Sequence, residues 1–177
     1  MFKTIEYLRN GNEKQRRAYD VINKIGVMKD LLSYTPILCG TIPIQIDLED
    51  SDLDIIMDVK DFHDWKNTIT QLYSKQLNFN LKEKIIRNQP TIKANFIYEG
   101  FEFELFGQSK AVDHQYAYIH MLIEHEVMLR NPSMREKIIA LKKLGYKTEP
   151  AFCKLLQLEG DPYESLIEYG REKGIIT

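Results

Sequence analysis

Between Phe79 and Phe106 the chain runs extended three times with only short breaks, and this stretch most limits what it can fold into. From Phe101 to Leu105 apolar and acidic residues alternate, putting Phe101, Phe103 and Leu105 on one face and Glu102 and Glu104 on the other. A period of two belongs to a strand and not to a helix. Phe79 to Ile86 and Thr91 to Tyr98 read the same way, separated from each other by Asn88-Gln89-Pro90 and from the third run by Glu99-Gly100. Those breaks are turn formers, so the segment predicts a β-meander whose apolar face must be covered by something else.

Two further extended segments lie upstream. Tyr34 to Cys39 is an apolar run that stops at Gly40, and Ser51 to Met57 alternates, with Leu53 and Ile55 facing one way and Asp52 and Asp54 the other. Added to the meander, they predict a mixed sheet of about five strands, the usual size.

Helical patterning surrounds these strands. Asn12 is placed to cap a helix carrying Ala18, Val21, Ile22 and Ile25 as an apolar stripe, with Gly26 as its terminator. A short helix near Met28 to Leu32 follows. Asp61 to Gln76 is amphipathic through Phe62, Trp65, Ile69, Leu72 and Tyr73, so Trp65 is read as packing. From Val112 onward the pattern is helical through Asp113 to Arg130, Pro132 to Leu144, Thr148 to Leu158 and Pro162 to Glu172, with Asn131 and Asp161 as caps ahead of first-turn prolines. The fold class expected is α+β: a small mixed sheet flanked by helices, with a C-terminal helical extension. Residues 1–110 form the expected core and residues 111–177 an extension packed on it as one compact unit.

The 177 residues suffice for a proper hydrophobic core, and a net charge of −2 argues against broad, sequence-independent binding to nucleic acid. Only Cys39 and Cys153 are present, without metal-ligand spacing, and neither a signal peptide nor a long apolar span is visible. A cytoplasmic protein with no membrane association is expected, with Cys39 a small buried residue.

Asp52 and Asp54 on one strand face would repel each other and hold protons unless a cation kept both ionised. Gly40 lets backbone approach a ligand closely, and Thr41 offers a hydroxyl and an N–H where phosphate oxygens could be gripped. Ten residues separate Thr41 from Asp52, enough for a loop that returns into an adjacent strand.

An apolar residue, Gly-Thr, a spacer of this size and Asp-x-Asp between apolar residues together resemble the signature of the polymerase-beta-type nucleotidyltransferase superfamily. Over nearly its whole length the chain is also similar to a narrower bacterial family of nucleotidyltransferase-like domains without an assigned function, through CGTIPIQIDLEDSDLDI, FEFELFGQ, HMLIEHEVML and TEPAFCKLLQLEGDPYESL. The superfamily resemblance implies a third carboxylate on a later strand. Glu102 and Glu104 both qualify; Glu104 is favoured because it lies deeper between Phe103 and Leu105. Most members carry Asp at this point. The implied site is Asp52, Asp54 and Glu104 as catalytic and metal-binding residues, holding one or two Mg²⁺ ions for which Mn²⁺ can substitute, with Gly40 and Thr41 on the phosphates of a nucleoside triphosphate. Lys82, Lys84, Arg87 and Lys93 cluster nearby; Lys93, sharing a face with Thr91 and Asn95, is the one assigned to the nucleotide.

The implied reaction moves a nucleoside monophosphate from the triphosphate to a hydroxyl of a small molecule or protein. An alternative is an inactive nucleotidyltransferase fold that binds a nucleotide or a protein. A third is a plain interaction domain with acidic strand faces. Two other metal readings fail on spacing. A calcium loop starting at Asp50 would need Gly and Glu where Ile55 and Asp61 stand. His120, Glu124 and His125 match neither helical zinc motif, so His120 and Glu124 are read as a local helical pair, with a cleft-lining role as the alternative.

Overall fold

The computed structural model describes residues 2–177. Its helix α1 (Glu13–Ile25) opens with a capping box, in which Asn12 and Gln15 satisfy each other's backbone N–H groups, and closes at Gly26 in the left-handed conformation. Helix α2 (Val27–Asp30) leads to strand β1 (Ile37–Cys39), and an ordered loop then returns the chain into β2 (Leu53–Asp58). After helix α3 (Phe62–Tyr73), capped by Asp61, come β3 (Leu77–Ile86), β4 (Gln89–Tyr98) and β5 (Phe101–Gln108).

The five strands form one sheet in the order β1-β2-β5-β4-β3, with β2 and β5 parallel and the other neighbours antiparallel. The mixed α+β architecture expected from the sequence is therefore the one observed. The break between β3 and β4 falls at Arg87-Asn88, both with positive φ, and not at Asn88 to Pro90. Pro90 is tolerated inside β4 because the pairing with β5 begins only at Thr91, so no ladder bond on that side needs its missing N–H.

Alternation divides the sheet into two faces. Leu53, Ile55, Met57, Ile92, Ala94, Phe96, Phe103 and Leu105 point into one core with α1 and α3, where Phe96 stacks on Phe103 with ring centroids 5.0 Å apart. The opposite face carries Ile37, Cys39 and Ile56, covered by α4 (Tyr116–Arg130), α5 (Met134–Lys143), α6 (Thr148–Leu156) and α7 (Pro162–Glu172). Helix α7 begins at Pro162 with Asp161 accepting from two first-turn N–H groups. Helix α5 departs from the expected pattern: it starts at Met134, and Asn131 accepts from the Ser133 hydroxyl and caps no helix. Among the described residues no helix is long and apolar enough to cross a membrane.

Side chains from α1 and α5 fix the loop between β1 and β2. Gln15 donates to the carbonyls of Ile42 and Pro43, Arg135 to those of Ile44 and Gln45, Lys142 to Ile46, and Lys14 to Leu48 and Glu49. A loop whose carbonyls are held this way presents Gly40 and Thr41 rigidly at one end and Asp52 at the other.

Candidate active site

Register brings the acidic residues together. Asp54 lies opposite Cys39 on one side and opposite Glu104 on the other, while Asp52 immediately precedes β2. Oxygens of Asp52, Asp54 and Glu104 all fall within 4.8 Å of one another. Glu102 is exposed and accepts from Asn95 Nδ2 at 3.2 Å, so Glu104 is the glutamate that converges.

Gly40 is indispensable to this packing. Its φ is +83°, and a Cβ there would lie 2.3 Å from Asp54 Oδ2. Thr41 Oγ1 donates to Ser51 Oγ at 3.2 Å, tying the start of the loop to the residue before Asp52.

Burial, Asp52 and Glu104 push the Asp54 carboxyl well above the ordinary carboxylate range. Asp52 is also raised, first by burial and then by Glu104 and Glu102. Lys93 opposes both shifts, and its Nζ sits 2.6 Å from Glu104 Oε2. The lysine assigned to the nucleotide is thus engaged with the third carboxylate, while Lys82 and Lys84 lie exposed on β3.

From the triad a cavity of about 620 Å³ runs under α4. Tyr116, His120 and Glu124 line it at intervals of four, one face of the helix. The expected His120–Glu124 pair does not form: His120 Nε2 meets the Tyr163 carbonyl at 2.9 Å and its Nδ1 lies 3.6 Å from Glu149 Oε1. Both residues line the cleft instead. At the far end Arg87 binds Asp161 at 3.2 Å and Glu164 at 2.8 Å, and lies over the rings of Tyr116 and Tyr163. The Tyr116 hydroxyl donates to Glu164, which raises its pKa. Sequence reasoning missed Tyr116, Glu149 and Tyr163. The spacing from Tyr116 to Glu124 was a usable signal; Glu149 and Tyr163 arrive from helices with no local mark.

Three hard oxygen donors, partly buried and mutually repelling, suit a divalent cation such as Mg²⁺, which takes oxygen ligands and relieves their repulsion. The same face-sharing alternation that built the sheet therefore yields an acidic centre beside a cleft.

The comparisons agree on the fold. The polymerase core of TRAMP, an RNA surveillance complex, matches with a TM-score of 0.55 at 14% identity over 92% of this chain and 50% of its own. The GLD-2/RNP-8 complex gives 0.53 at 13% over 84% and 60%. The Cid1 poly(U) polymerase in its Mg 3′-dATP-bound form gives 0.53 at 12% over 92% and 52%. The chain thus spans about half to three-fifths of the length of these structures. No curated protein matches it. A family model matches residues 20–169, and the chain belongs to that family, described as a domain of unknown function (DUF4269).

Proposed function

We propose that this protein is a divalent-metal-dependent nucleotidyltransferase that moves a nucleoside monophosphate from an NTP to a hydroxyl of a small molecule or protein. The convergence of Asp52, Asp54 and Glu104 beside the Gly40-Thr41 turn carries the reading. The likeness to the Mg 3′-dATP-bound Cid1 structure supports the same fold for such chemistry.

Asp52, Asp54 and Glu104 would hold Mg²⁺, with Mn²⁺ able to replace it; when bound it neutralises the phosphates and lowers the pKa of the attacking hydroxyl. Glu104 would serve either as a ligand of that cation or as the base that takes the hydroxyl's proton. The hydroxyl oxygen bonds to the α-phosphorus, the bond to the bridging oxygen breaks, and pyrophosphate leaves. Backbone N–H groups at Gly40 and Thr41 would bind the leaving phosphates, where charge accumulates. Lys93, once Glu104 engages the cation, can carry its ammonium to a phosphate oxygen.

One observation favours the alternative, an inactive fold that binds a nucleotide or protein: the third carboxylate already has Lys93 as its cation. Incubation with Mg²⁺ and each labelled NTP, with and without cell extract, distinguishes the two. Pyrophosphate release or a labelled product that disappears in Asp54→Asn supports transfer. Metal-dependent nucleotide binding without turnover supports the inactive fold, and absence of any nucleotide binding defeats transfer and favours a plain interaction domain.

A further inference from the structure

The wall that α4 gives the cavity carries a hydrogen-bonding pattern that bears on the base of the triphosphate. Glu124 lines that wall although only 4% exposed, and its Oε1 has no hydrogen-bond partner. A buried polar atom in that condition costs free energy until a ligand supplies the partner. Burial, and after it Glu149, push the Glu124 carboxyl well above the ordinary carboxylate range. The group therefore keeps its proton and presents one O–H donor beside one carbonyl acceptor.

His120, one turn earlier on the same helix face, adds a second acceptor. A carbonyl can only accept, so the 2.9 Å contact with Tyr163 O puts the ring proton on His120 Nε2. Burial lowers the His120 pKa, which keeps the ring neutral and leaves Nδ1 with a free lone pair. Glu149 Oε1 lies 3.6 Å from Nδ1, beyond hydrogen-bond distance, and Lys142 Nζ donates to the Ile46 carbonyl at 2.7 Å. The wall thus offers one donor and two acceptors.

A nucleobase with an exocyclic amino group can meet that pattern. One of its acceptors takes the Glu124 proton, and two of its N–H donors go to the Glu124 carbonyl oxygen and to His120 Nδ1. Uracil cannot. Its edge holds a single N–H between two carbonyl oxygens, so one oxygen is left facing Nδ1, lone pair against lone pair. The same cavity is lined by Gly40, Thr41, Asp54 and Glu104, and at about 620 Å³ it has the size of pockets that enclose a whole small ligand. Phosphates and base can therefore share it.

We propose that Glu124 and His120 Nδ1 select the nucleobase by its exocyclic amino group, so that the triphosphate site takes amino-bearing bases and rejects uracil. The selection rests on the nucleotidyltransferase reading, to which it adds the class of triphosphate.

Isothermal titration of the intact protein in Mg²⁺ with the α,β-methylene analogues of CTP and UTP tests this. The two ligands match in ring size and cannot be transferred, and they differ at the amino group. The CTP analogue should bind about tenfold more tightly, the scale of one hydrogen bond exchanged for an unpaired group. That preference should persist in Glu124→Gln, whose amide offers the same donor and acceptor, and shrink in Glu124→Leu, which offers neither. Equal or reversed affinities, a preference lost in Glu124→Gln, or one undiminished in Glu124→Leu overturns the selection while leaving the nucleotidyltransferase reading in place. If neither these analogues nor ATP binds with Mg²⁺, that reading falls, and the selection falls with it.

Discussion

Replacing Gly40 with alanine separates the acidic centre from the rest of the fold. At φ +83° an L side chain pays backbone strain, and the new Cβ would stand 2.3 Å from Asp54 Oδ2. That oxygen ends a short side chain that can turn aside, so the clash is relieved by moving an oxygen of the acidic cluster and not the strand. Gly145 is the matched control, with φ +92° and nothing within 4 Å of an added Cβ. Each variant should lose about 1–2 kcal/mol from left-handed strain. For a domain of this size that is a fall of roughly 2–8 °C in melting temperature. Only Gly40→Ala should also weaken Mn²⁺ binding, by about tenfold or more, equivalent to about 1.4 kcal/mol. Differential scanning calorimetry and isothermal titration with Mn²⁺ on both variants give the comparison. Equal metal affinities in Gly40→Ala and Gly145→Ala would refute the packing of Gly40 against Asp54 as the reason for that glycine.

Three further outcomes follow from the same charges. Asp54 and Asp52 titrate above the ordinary value of 3.8, so between that value and their raised folded values the native state holds protons that the unfolded chain has released, and stability falls as pH rises. Asp54→Asn should therefore stabilise the metal-free protein at neutral pH, by roughly 0.5–2 kcal/mol, and not at pH near 3, as read by urea denaturation; a less stable variant at neutral pH contradicts the assignment. Because a bound cation must displace those protons, Mn²⁺ affinity should climb with pH, by up to about tenfold per unit for each proton released, and a flat titration profile from acid to neutral pH would exclude linked protonation. Lys93→Met should cost the metal-free fold about 1.5–3 kcal/mol, the range for a hydrogen bond to a charged group, while raising Mn²⁺ affinity because the ammonium no longer competes for Glu104. If neither quantity moves, the 2.6 Å pair has no bearing on the centre.

The sequence by itself determined the strands and the faces they show. Alternation at Leu53 to Met57 and at Phe101 to Leu105 follows directly from the pleat, so which residues are buried and which carboxylates face away could be read without coordinates. Caps at Asn12 and Asp161 were equally legible, since each is a contact within a few residues. Tertiary structure decided everything that depends on register and on packing across the sheet. The parallel pairing of β2 with β5 puts Asp54 opposite Glu104 and leaves Glu102 at the rim, a choice the period alone could not make because both glutamates share one face. Lys93 meets Glu104 for the same reason, from the strand on the other side. His120 and Glu124 looked like a local helical pair, yet helices far along the chain supply Tyr163 and Glu149 and give His120 other partners. A short-range pattern reports which way a side chain points; what it meets there is set by contacts between residues distant in sequence, and those exist only once the sheet and its helices have packed.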